Sequence, residues 1–134
     1  MLNQVQDTNL SRRKVVMISI AVSLMLSNLF FLTTMQILPV SIESRFLLPL
    51  VFFILGGLYV ETIPQAIYAA FLSVLLFATQ YFIILSIPYL FGLLPNNEGI
   101  FLLLNISFIT QLSVIIIIES FFGYLVGAVI YEFL

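Results

Sequence analysis

Four basic and six acidic side chains are all the charge that 134 residues carry. A water-soluble domain has roughly 25% charged residues, because its outer surface must be wetted. Here the share is 7%, against 63% hydrophobic residues. The solvent that suits such a surface is lipid hydrocarbon, where each segment must satisfy its own backbone hydrogen bonds. The expected fold class is therefore all-α: a polytopic integral membrane protein, a bundle of about four transmembrane helices.

Missing residue types narrow the chemistry. The chain has no Cys and no His. Disulfides, thiolate metal sites and thiol nucleophiles are excluded, and the commonest general base and metal ligand is gone. A net charge of −2 gives no reason to expect nucleic acid as a partner. The sequence holds no Gly-rich phosphate loop, no Ser nucleophile motif and no acidic metal cluster. The expectation is a protein that is not an enzyme and needs no cofactor or metal.

Residues 1–14 form a polar N-terminal segment that closes on Arg12-Arg13-Lys14 and is expected to be a short mobile head. The first apolar run, 15–38, would be about 36 Å long as a helix, against about 30 Å of hydrocarbon. Ser11-Arg12-Arg13-Lys14 looks like the start of a twin-arginine export signal. The run is too long for a secretory signal core, though, and further spans follow it. A retained first span behind a basic cytoplasmic anchor is the expectation.

The break at 39–45 carries Glu43 and Arg45, an exposed pair worth little. The second run, 46–63, is short, with Gly56-Gly57 in its second half. The break at 61–65 includes Pro64, which fits a loop or a helix first turn. The third run covers 66–91, with Pro88 expected to kink or end it. Pro95-Asn96-Asn97-Glu98-Gly99 is the clearest turn. The last run, 100–134, would be about 50 Å as one helix, too long for a single untilted span. Asn105, Ser107, Thr110, Gln111 and Ser113 cluster in its first half. An interfacial or broken segment over 100–108 and a span over 109–131 are expected, with one strongly tilted helix as the alternative. Arg12, Arg13 and Lys14 outweigh Arg45, which places both termini of a four-span chain in the cytoplasm of a cell membrane.

Polar groups inside apolar runs need partners, so they mark candidate sites. Glu119 follows five consecutive β-branched residues, 114–118. Burial there disfavours its charged form, as in a proton or cation site; a hydrogen bond to a neighbouring helix is the plainer role. Asn28, Gln80 and Gln111 lie at comparable depth and would complete an intramembrane polar cluster with Glu119. Their plainer role is to lock helices together. Glu61 and Gln65 form a second candidate site at the cytoplasmic loop. Ser19, Ser23 and Ser27 repeat every four residues, and Gly123 and Gly127 form a GxxxG pair; both are helix-packing faces. Asn-x-Ser sequons at Asn9 and Asn105 are expected to stay unmodified, one cytoplasmic and one at membrane depth.

Two functions follow as expectations. The first is a non-catalytic accessory or structural subunit of a larger membrane complex, partnered by the lipid bilayer and by other subunits or copies of itself. The alternative is a small proton- or cation-coupled transporter or channel that uses Glu119.

Overall fold

The computed structural model describes residues 2–34, 41–92 and 98–134. These residues form four α-helices and no strand: α1 (Leu2–Thr34), α2 (Ile42–Gly57), α3 (Ile63–Leu90) and α4 (Glu98–Phe133). Three stretches are long and apolar enough to cross a membrane: Ser11–Thr34, Ile63–Pro88 and Leu103–Phe133. The apolar part of α2, Leu47–Gly57, is shorter. The side chains of Glu43 and Arg45 and the turn residues 95–97 lie outside the described residues.

Local chemistry explains the boundaries. Residues 2–14 contain neither Gly nor Pro. The polar segment, expected as a mobile head, is instead helical and continuous with the apolar part of α1. α2 ends at Gly57, before its apolar run does, because two successive glycines are poor helix formers. Its last carbonyls remain bonded: Leu58 N–H donates to Ile54 O, Tyr59 N–H to Gly56 O and Val60 N–H to Gly57 O. Pro64 sits in the first turn of α3, where its missing N–H costs nothing. Pro88 does not end α3, which continues to Leu90. Phe91 N–H still reaches Ile87 O, and the chain turns away at Gly92, whose φ of 65° is left-handed.

α4 is one unbroken helix of 36 residues, so 100–108 is continuous with the rest. The polar residues there do not interrupt it. Thr110 Oγ1, for example, donates to the Ile106 carbonyl of its own helix, 2.7 Å away.

α4 packs on α2 and α3, and α1 packs on α3 and more lightly on α2. The order around the bundle is thus α1, α2, α4, α3, with α1 and α4 on a diagonal. Leu26, Phe53, Phe77, Tyr81, Ile116 and Tyr124 fill the centre, fully enclosed. Phe77 stacks on Tyr81 with centroids 5.5 Å apart, and Phe30 meets Phe77 edge-on at 5.5 Å.

The tightest contact is made by glycines. At Gly57 a Cβ would lie 2.6 Å from the Tyr124 carbonyl oxygen and 2.9 Å from Gly127 Cα. At Gly127 it would strike the Ile54 carbonyl oxygen and lie 2.7 Å from Gly57 Cα. At Gly123 it would strike Phe53 Cβ. The α2 and α4 backbones therefore touch directly, which no other residue type permits. Gly127→Ala is expected to cost about 1–3 kcal/mol of stability through overpacking, read as a lower melting temperature in detergent. Gly92→Asn, in open space at a conformation Asn tolerates, is expected to stay within about 0.5 kcal/mol. An unchanged Gly127→Ala would show that the backbones do not touch.

Candidate functional site

An eight-residue polar repeat on α1 organises the interior. Two helical turns take about seven residues, so groups seven or eight apart recur on one face. Ser11, Ser19, Ser27 and Thr34 follow this spacing, and each meets a polar group of α3. The Gln65 Nε2 amide donates to Ser11 Oγ. Ser19 Oγ donates to the Val15 carbonyl at 2.9 Å and lies 3.4 Å from the Ala69 carbonyl of α3. Ser27 Oγ lies 2.7 Å from the Ser23 carbonyl and 3.0 Å from Gln80 Oε1. One hydroxyl proton cannot serve both acceptors, so turning the Gln80 amide over satisfies the pair. The Thr34 and Tyr81 hydroxyls share a bond of 2.9 Å. Ser23, fully buried between them, donates to the Ile20 carbonyl at 2.9 Å.

Tyr124 ties α4 into this seam. Its hydroxyl and Ser73 Oγ are 2.8 Å apart, both fully buried, with Ser19 as a second neighbour. The phenol has room because Gly56 faces it: a Cβ there would lie 3.1 Å from the hydroxyl oxygen and 3.1 Å from Val22 Cγ2.

At the end of the bundle, Lys14 Nζ donates to Glu61 Oε1 at 2.8 Å. Both side chains are about half exposed (47% and 49%), so the pair adds little stability. The Glu61 backbone N–H donates to Gln65 Oε1 at 3.3 Å. Glu61 and Gln65 thus fasten the start of α3 to α1. Gly57 meets Gly127 at this same end, which therefore also carries the end of α4.

The four residues of the expected intramembrane site are not joined. No hydrogen bond links any two of Asn28, Gln80, Gln111 and Glu119 among the described residues. Asn28 is exposed and donates to the Leu24 carbonyl of its own helix at 2.8 Å. Gln80 is engaged with Ser27, and Gln111 is exposed. Glu119 is partly exposed, and its Oε2 is buried without a hydrogen-bond partner. It lies one turn before Gly123, on the flank of the α2–α4 contact. Asn105 Nδ2, Ser113 Oγ and Ser86 Oγ are likewise buried and unpartnered.

Chemically, the seam is closed. Its hydroxyls bond to backbone, to each other or to the amides of Gln65 and Gln80, and among the described residues none is hydrogen-bonded to a carboxylate that could activate it as a nucleophile. No group of three or more His, Cys, Asp or Glu gathers among the described residues. The clefts lie on the outside: one of about 670 Å³ between α1 and α3 at the Arg12 end, and others of about 450 and 480 Å³ between α1 and α2. Sequence reasoning missed Lys14, Ser11, Ser73, Tyr124, Thr34 and Tyr81 as partners. The spacing of Ser11, Ser19 and Ser27 was the available signal.

The chain matches no protein-family model, no curated protein and no solved structure.

A double-mutant cycle tests the seam. Ser73→Ala or Tyr124→Phe alone breaks this buried hydroxyl pair and is expected to cost about 1–3 kcal/mol. The double variant is expected to cost less than the sum, with a coupling of about 0.6–2 kcal/mol. Strict additivity in thermal unfolding would show that the two hydroxyls do not interact.

Proposed function

We propose that the chain is a multi-pass integral membrane protein, crossed by all four helices, and a non-catalytic accessory or structural subunit of a larger membrane complex. The observation that carries this reading is a set of unsatisfied polar groups on α4. Asn105, Ser113 and Glu119 each hold a buried atom without a partner, and each side chain is partly exposed. In hydrocarbon an unsatisfied polar group costs several kcal/mol. A partner helix packed against α4 would supply donors and acceptors to complete such bonds. The interior seam supports the same reading, since among the described residues its hydroxyls are engaged with one another, with amides or with backbone. Large apolar side chains face outward on every helix, among them Met17, Leu47, Leu75 and Ile118.

The orientation belongs to this proposal. Arg12, Arg13 and Lys14 share one end of the bundle with residues 58–62 and the end of α4, so that end faces the cytoplasm of a cell membrane. A second reading rests on Glu119 alone. A carboxyl inside an apolar helix with an unpartnered oxygen is also what a small proton- or cation-coupled transporter needs.

One purification separates the two. Extraction of the tagged chain from its native membranes in mild detergent is expected to bring down a stoichiometric, larger membrane protein. Glu119→Gln is expected to keep that partner, whereas Glu119→Leu, which cannot hydrogen-bond, is expected to weaken the association. A homo-oligomer without a partner, together with cation or proton flux in proteoliposomes that Glu119→Gln abolishes, would overturn the subunit reading in favour of transport.

A further inference from the structure

We propose that the cleft between α1 and α3 beneath Arg12 holds the headgroup of an anionic phospholipid; this rests on the membrane-spanning reading above. The cleft, about 670 Å³, is lined by Arg12, Val15, Val16, Pro64, Gln65 and Tyr68. Small-molecule sites span about 300–1,000 Å³, so a phosphoglycerol group and the start of an acyl chain fit.

Charge selects the ligand. Of the three neighbouring cations, Lys14 is taken by Glu61. Arg12 makes no hydrogen bond or ion pair among the described residues, and its guanidinium offers donors in a fork that matches phosphate oxygens. Gln65 commits its Oε1 to the Glu61 N–H and one amide hydrogen to Ser11, leaving the second amide hydrogen for the ligand. Tyr68, 54% exposed, adds a phenol at the rim.

Position selects a lipid over a free anion. The cleft lies where the apolar stretch of α1 begins, at Ser11, and this is headgroup depth for a spanning helix. Below Arg12 the α1 wall turns aliphatic with Val15 and Val16. Leu75, 66% exposed, continues the Tyr68 face down α3 as a track for an acyl chain.

The test uses the full chain in detergent, titrated in native mass spectrometry with phosphatidylglycerol, phosphatidylcholine or inorganic phosphate. The first phosphatidylglycerol is expected to bind at least about tenfold more tightly than phosphatidylcholine. Arg12→Gln is expected to remove about tenfold or more of that affinity. Arg13→Gln, exposed but outside the cleft, is expected to remove no more than about fivefold, the share of diffuse surface attraction. Equal losses from the two variants, equal affinity for the two lipids, or displacement of the lipid by equimolar inorganic phosphate would each overturn the site. A carbonate wash of the source membranes separates the two claims. Release of the chain would sink the spanning reading and this site with it, whereas retention with equal losses would sink the lipid site alone.

Discussion

The direct contact between the α2 and α4 backbones is the constraint on which the rest of the bundle depends. Gly57 and Gly127 approach so closely that neither tolerates a side chain, and Gly123 accepts Phe53 in the same way. Three consequences follow. α4 is fixed between α2 and α3. Tyr124, next to Gly123 and one turn before Gly127, is turned toward the bundle centre, where Gly56 leaves space for its ring. There its hydroxyl finds Ser73, so the glycine contact on one side of α4 sets up the polar contact on the other.

α1 is held by different means. It lies diagonally from α4 and touches α2 only lightly. Its attachment is the seam with α3, where Ser11, Ser19, Ser27 and Thr34 meet α3 every two turns. In the proposed lipid setting there would be no hydrophobic drive between apolar helices, so close packing and interhelical hydrogen bonds of about 0.6–2 kcal/mol each would do the work. The structure divides these roles: glycines bring α2 to α4, and hydroxyls bring α1 to α3. The groove left between α1 and α2, with clefts of about 450 and 480 Å³, marks where neither device operates.

Much of this was legible in the residues. The scarcity of charge and the length of the apolar runs announce an all-helical chain with stretches long enough to cross a membrane. The spacing of Ser19, Ser23 and Ser27, or of Gly123 and Gly127, puts each set on one helix face. Periodicity describes a helix against its own axis, and it is silent about the neighbour that a face meets. For that reason the pairing of Gly127 with Gly57, of Gln65 with Ser11 and of Tyr124 with Ser73 could not be read. Depth along a helix was equally incomplete as a guide. Comparable depth suggests one site for Asn28, Gln80, Gln111 and Glu119, yet Asn28 points outward and bonds its own helix, Gln80 points to α1, and Gln111 and Glu119 lie about 12 Å apart along the axis of α4. The polar residues early in α4 looked like a break because a hydroxyl bonded to its own preceding turn, as in Thr110, is invisible in sequence.

The account turns on α2. At 16 residues it is about 24 Å long, less than the roughly 30 Å of a bilayer core. In the proposed four-span bundle it would cross because α4 holds it and because the turn at 58–60 keeps its last carbonyls bonded. The chain contains no Cys, so single cysteines report position without background. The decisive measurement is labelling of Ser41→Cys and Thr62→Cys, one at each end of α2, with a membrane-impermeant maleimide on sealed and opened vesicles. The account requires that the two cysteines label from opposite sides. Labelling of both from the same side would make α2 a re-entrant or surface helix and would contradict a four-span bundle.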